Sequence, residues 1–143
     1  MKLSIGSDHA GFELKSMLIN YLENQNYVVI DVGPKDNNRV DYPDYAHKLV
    51  NSILKKETEL GILICGSGNG ISMAANKHKN IRAALCWNSE IAALARNHND
   101  ANIVSLPARF VSFDEAKAII SSFLSSSFEG GRHLNRVNKI NCG

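Results

Sequence analysis

A cysteine ends an apolar run and three glycines follow it within five positions, Ile62-Leu63-Ile64-Cys65-Gly66-Ser67-Gly68-Asn69-Gly70-Ile71. Such a loop lets backbone approach a bound group closely. A helix opening behind it would turn free N–H groups and the positive end of its dipole toward an anion. A thiol placed there ionises more readily than a free one and becomes a base or nucleophile at neutral pH. The competing reading is an inert core residue, because unpaired Cys is among the most buried side chains. Asp8 and His9 sit in a second such segment, "GSDHAG" at 6–11, where an Asp serves equally well as a helix cap. His98, in "NHND" at 97–100, falls at the end of a helical pattern, where the dipole alone favours a charged imidazole. Arg132 and Arg136 are four residues apart and share one face of any helix that carries them. Two guanidiniums aimed the same way suit a phosphate, which Arg grips with parallel hydrogen bonds, though a solvated helix edge needs the same spacing. His47, His78 and His133 have no comparable setting and read as surface residues.

The elements that would position these residues alternate strictly. Residues 2–6 read as a strand and 12–24 as a helix with Leu14, Leu18 and Leu22 on one side. Tyr27 to Val32 is β-branched and strand-like, and 33–42 is a polar connection. Pro43 suits a first helical turn, followed by an apolar stripe of Ala46, Leu49, Val50, Ile53 and Leu54. Leu60 to Cys65 is a third strand, Ile71 to Lys77 a helix, and Ile81 to Cys86 a fourth strand. Asn88 or Ser89 caps a helix with Ile91, Leu94 and Ala95, and Asn102 to Leu106 is a fifth strand. Ser112 and Glu115 form a capping box for a helix burying Ala116, Ile119, Ile120, Phe123 and Leu124. A short helix in "RHLNRVNKI" ends the chain. This alternation predicts a three-layer α/β/α, Rossmann-like sandwich with a five-stranded parallel sheet, since parallel neighbours need crossover connections. Ligands in such folds bind at the carboxyl ends of the strands, which selects 6–11, 65–70 and 87–90.

Composition narrows the function. A chain of 143 residues fits one domain, 1–143, with 44% hydrophobic and 21% charged residues, as in ordinary globular proteins. A net charge of +2 gives little support to nucleic-acid binding, which needs a concentrated basic face. No apolar run approaches a bilayer-spanning length, and Asp8 comes too early for a signal-peptide core. Cys65, Cys86 and Cys142 lack metal-ligand spacing, so a zinc site or disulfide framework is not expected, and a reduced cytoplasmic setting is the simplest reading. Neither glycine segment continues as a Walker loop or a dinucleotide fingerprint: Gly70 leads into Ile71-Ser72, and the third βα turn reads G-x-G-x-G.

Taken together, "GSDHAGFELK" (6–15), "VDYPDYA" (40–46), "GILICGSGNGISMAANK" (61–77), "RAALC" (82–86), "ARNHNDANIV" (95–104) and "EGGRHLNRV" (129–137) resemble the ribose-5-phosphate isomerase B family, which includes the subunits of galactose-6-phosphate isomerase. The resemblance runs from the first strand to about Val137. It implies aldose–ketose isomerisation of ribose 5-phosphate and ribulose 5-phosphate without metal or organic cofactor. By position in the family motif, Cys65 would be the general base, with Ser67 standing where Thr is frequent and able to shuttle a proton. His98 would open the sugar ring, with Asp8 as its partner at the sugar. His9, Arg132 and Arg136, with Arg109, would hold the phosphate. Tyr42 and Asn99 would lie near the sugar, and the N–H groups of Gly66, Gly68, Asn69 and Gly70 would face the enediolate. Leu106-Pro107-Ala108 departs from the glycine-containing turn of the family and leaves Arg109's role open. The family's sites lie between subunits, so a homodimer or dimer of dimers is implied, with segment 130–143 contacting a partner.

Three alternatives remain. A hexose 6-phosphate such as galactose or allose phosphate would keep the chemistry and change the sugar. A flavodoxin-like module would bind a nucleotide or flavin at the same loop without turnover. A redox protein would need Cys86 close to Cys65 in space.

Overall fold

The computed structural model describes residues 1–142; Gly143, the last residue of segment 130–143, lies outside the described residues. Strands and helices alternate as β1 (Lys2–Ser7), α1 (Phe12–Asn24), β2 (Val28–Gly33), α2 (Tyr42–Leu54), β3 (Leu60–Cys65), α3 (Asn69–Ala75), β4 (Ala83–Leu85), α4 (Ser89–Asn99), β5 (Ile103–Pro107), α5 (Phe113–Ser125) and α6 (Arg132–Asn138). All strand pairs are parallel, in the order β2-β1-β3-β5-β4. The expected three-layer sandwich is therefore the observed one. Among the described residues no helix is long and apolar enough to cross a membrane.

The period-2 alternation of β3 divides the core. Leu60, Ile62 and Ile64 face Leu14, Leu18, Ile119 and Phe123 on one side of the sheet; Leu63 and Cys65 face Ala46, Leu49, Ile71 and Ala75 on the other. Helices α1, α4 and α5 thus cover one face and α2 and α3 the other. Each buried Leu contributes roughly 2 kcal/mol by leaving water. The helix after β1 goes to one face and the helix after β3 to the other. Because these two strands are neighbours, their loops diverge and leave a crevice at the topological switch point.

Most local signals act as expected. Ser112 Oγ accepts from Glu115 N–H at 3.1 Å while Glu115 Oε1 accepts from Ser112 N–H at 2.9 Å, closing the capping box. Asn88 Oδ1 accepts from Ile91 N–H at 2.9 Å and caps α4. Some boundaries differ. β4 is shorter than expected, Ala83–Leu85, and the Asn76 amide covers its outer edge, pairing with both Ala83 N–H and Ala83 C=O. α3 starts at Asn69 rather than Ile71, since Gly68 adopts φ +75° and turns the chain directly into the helix. Tyr42 belongs to α2 rather than to the preceding connection, and Leu54 leaves the buried stripe in the last turn, 45% exposed.

One feature escaped the sequence reading. Lys15, 1% exposed, gives its ammonium to both oxygens of Asp31 at 2.7 and 2.9 Å and to Pro34 C=O at 2.7 Å. This clamp fixes the start of the loop that leads to Val40 and Tyr42. Replacing Lys15 by Met should lower stability by about 1–2 kcal/mol, because the buried Pro34 carbonyl loses its donor while Asp31, 40% exposed, turns to water. Urea midpoints would measure it; a loss below about 0.5 kcal/mol would mean that water replaces the ammonium without penalty.

Candidate active site

The carboxyl ends of β1, β3 and β5 are tied to one another by backbone. Asp8 N–H donates to Ile64 C=O at 3.1 Å, Ala108 N–H to Cys65 C=O at 2.9 Å and Arg109 N–H to Gly66 C=O at 3.0 Å. Three loops that are remote in sequence are therefore held at one edge of the sheet. Asp8, 7% exposed, closes its own turn by accepting from Gly11 N–H through Oδ1 at 3.1 Å. His9 Nδ1 accepts from Val40 N–H at 3.3 Å. A neutral ring held this way carries its proton on Nε2, which makes that nitrogen a donor.

The glycine loop is closed on both flanks by side chains. A Cβ at Gly66 would come within 3.0 Å of Arg109 Nη1, and one at Gly70 within 2.8 Å of the Tyr42 hydroxyl. Arg109 and Tyr42 therefore lie directly over the loop, and at Gly70 a side chain would collide with the Tyr42 ring. Ser67 Oγ accepts from Asn69 N–H and from its side-chain amide, both at 3.3 Å, so Ser67 points back along the turn. Cys65, 4% exposed, packs among Leu63, Ile71 and Ala75 at the base of this loop. The structure thus brings Asp8, His9, Tyr42, Cys65, Gly66, Ser67, Gly68, Asn69, Gly70 and Arg109 to a single edge.

His98, Asn99, Arg132 and Arg136 lie elsewhere. Helix α4 runs antiparallel to the strands, so its carboxyl end sits at the opposite edge, where Asn99 C=O accepts from Arg82 Nε–H at 3.1 Å just before β4. Glu129 N–H donates to Asn97 C=O at 3.0 Å and docks the start of α6 there. A five-residue strand separates the two edges by roughly 15 Å. Within one chain, then, the candidate residues divide into two groups: an upper candidate half-site at the carboxyl ends of the strands and a lower one at the opposite edge.

The lower half-site corrects one reading. His133 is a buried residue, 7% exposed, rather than a surface one. Its ring stacks on that of His98 with centroids 4.2 Å apart and planes at 12°. The signal was available: His133 and Val137 are four residues apart and form the buried face of α6, beside the exposed pair Arg132 and Arg136. Burial holds the His133 pKa below its ordinary 6.5; His98, Arg132 and Arg136 act the same way, and Glu129 opposes them. His47 Nδ1 and His78 Nε2 also form a pair, at 2.7 Å, which is exposed. The remaining thiols do not join Cys65. Cys86 packs on the opposite face of the sheet, and burial pushes its pKa up to about 12, which removes the redox-pair reading.

Comparison with known proteins matches residues 3–140 to the family model described as Ribose/Galactose Isomerase. A probable ribose-5-phosphate isomerase B from Mycoplasma pneumoniae is 53% identical over 137 residues, covering 95% of this chain and 90% of its own. The crystal structure of a ribose 5-phosphate isomerase from Thermotoga maritima superposes with a TM-score of 0.96 at 51% identity, covering 97% of this chain and 96% of that one. A ribose-5-phosphate isomerase B from Mycoplasma genitalium, solved with bound ribulose-5-phosphate, has a TM-score of 0.93 at 43% identity, covering 97% and 93%.

A pH dependence follows from the lower half-site. A histidine whose folded pKa lies below its unfolded value leaves the unfolded chain holding more protons, so its contribution is complete above about pH 6.5 and is lost as pH falls through the folded pKa. Urea midpoints between pH 7.5 and 5 should fall less steeply for His133→Phe than for the unsubstituted chain. Equal slopes would mean that His133 is no more sheltered folded than unfolded.

Proposed function

The chain belongs to the Ribose/Galactose Isomerase family, and from that premise we propose that it interconverts ribose 5-phosphate and ribulose 5-phosphate through an enediolate. The observation that carries the reading is the crevice between β1 and β3, where Cys65, the glycine loop, Asp8 and His9 converge. The reaction must open a furanose, take a proton from C2, stabilise negative charge on oxygen and deliver a proton to C1.

Cys65, as thiolate, takes the C2 proton; the electron pair left behind forms the C1–C2 double bond, and the aldehyde oxygen becomes the enediolate oxygen. Loop N–H groups from Gly66 to Gly70 meet that charge, and a single donor of this kind is commonly worth about 3 kcal/mol. Ser67 passes the hydroxyl proton between O2 and O1 while Cys65 returns its proton to C1. No metal or organic cofactor enters these steps. His9, with Nε2–H free to donate, and Arg109 over Gly66 supply cationic or donor groups for the phosphate on this side. Tyr42 closes the other flank.

His98 for ring opening, Asn99 beside the sugar, and Arg132 and Arg136 for the phosphate come from a second copy of the chain, because the sheet separates them from Cys65 within one. A homodimer, alone or paired into a dimer of dimers, completes each site. Exposed apolar side chains beside both half-sites support it: Phe110 at 74% and Met73 at 64% exposure near the glycine loop, Leu134 at 49% and Ile140 at 50% on and beyond α6. The free thiols fit a reducing, cytoplasmic setting. Hexose 6-phosphates are the second reading within the family, and kcat/KM for five- and six-carbon phosphates separates the two.

Cys65→Ala should keep the fold and reduce solvent proton exchange at C2 of ribose 5-phosphate by about 10³-fold, as expected for a lost general base. Retained turnover with circular dichroism unchanged would remove Cys65 from the mechanism.

A further inference from the structure

We propose that His133 is a positioning residue for ring opening: its imidazole holds the ring plane of His98, and the two share the carboxylate of Glu129. The inference rests on the reading that His98 opens the furanose of ribose 5-phosphate.

His98 stands in the last turn of α4, two residues before the left-handed cap Asp100, and its side chain is 36% exposed. An imidazole so placed has rotamer freedom unless something restrains it. The restraint is the His133 ring, parallel to it within 12° at 4.2 Å. His133 is itself fixed, being 7% exposed at the start of α6, with its N–H donated to Gly130 C=O at 3.0 Å. Its Nε2 is buried with no hydrogen-bond partner, which a purely packing residue would avoid, since an apolar side chain fills the same space without an unsatisfied group. That nitrogen and His98 Nε2 lie 3.7 and 3.8 Å from one Glu129 oxygen. When His98 takes the proton of the sugar's anomeric hydroxyl and passes one to the ring oxygen, the transient imidazolium faces this carboxylate. A carboxylate behind a catalytic imidazole has the same effect elsewhere.

Glu129 and the two histidines also place three donor atoms within 4.8 Å, near enough for a metal ion. The surrounding charge argues for the other role. Arg132 and Arg136 both oppose positive charge on His133, and a dication would meet the same repulsion.

Ribulose 5-phosphate supplies the test. Its C5 oxygen carries the phosphate and cannot close a furanose on the C2 carbonyl, so exchange of its C1 hydrogen with solvent deuterium needs Cys65 chemistry without ring opening. His133→Ala should slow turnover of ribose 5-phosphate on the order of 10- to 100-fold, the effect of a misplaced catalytic group. C1 exchange from ribulose 5-phosphate should change by less than about two-fold in the same variant. His133→Phe, which restores the ring face but not Nε2 beside Glu129, should recover part of the ribose 5-phosphate rate and not all of it; it also retains bulk if the alanine variant is unstable. Equal losses in both assays, no loss in either, or a phenylalanine variant as slow as the alanine one would overturn the proposal. If the unsubstituted protein exchanged no C1 hydrogen, the isomerase reading itself would fail.

Discussion

A parallel strand and the helix that follows it run in opposite directions, so the carboxyl ends of strands and helices collect at opposite edges of the sheet. The chemistry inferred for this chain depends on that constraint. Cys65 and the glycine loop end β3, whereas His98 ends α4, and nothing in the hydrogen-bonded core permits either to cross the roughly 15 Å of a strand between them. In the proposed mechanism, therefore, the two groups meet only across copies. Assembly would then be part of the proposed chemistry, each copy bringing a base to one site and an acid–base imidazole to another.

Within each half-site, precision comes from backbone ties rather than from side-chain packing alone. The upper edge is cross-linked by Asp8, Ala108 and Arg109 N–H groups to the end of β3 and the start of its loop, so three loops move as one body. The Lys15 clamp holds Pro34 at the start of the 34–41 loop, and Val40 N–H near its end meets the His9 ring. At the lower edge, Glu129 is anchored by its own N–H to Asn97, and the histidine stack rests on it. The loops that carry the proposed substrate-contacting groups are thus tied locally, as positioning of reacting groups requires.

Much of this was legible in the residues. The alternation of apolar runs and helical stripes fixed the layer order, because βα units allow few arrangements. Capping at Ser112 and Asn88 was readable because it is a local exchange of hydrogen bonds. The glycine loop announced a close approach, though not that Arg109 and Tyr42 would be the approaching groups, since those contacts join positions far apart in sequence. The strand order β2-β1-β3-β5-β4 was likewise invisible, as periodicity says nothing of neighbours. Lys15 and His133 were missed for a shared reason: polar residues default to the surface in a one-dimensional reading, and only tertiary partners such as Asp31 or the His98 ring make their burial favourable.

Co-expression of two inactive variants tests the shared site most directly. A Cys65→Ala chain retains an intact lower half-site, and a His98→Ala chain an intact upper one. Mixed dimers would contain one complete site, so a statistical mixture should recover up to about a quarter of unsubstituted turnover, although each variant alone is inactive. Persistent inactivity of verified mixed dimers would contradict the division of the site between copies.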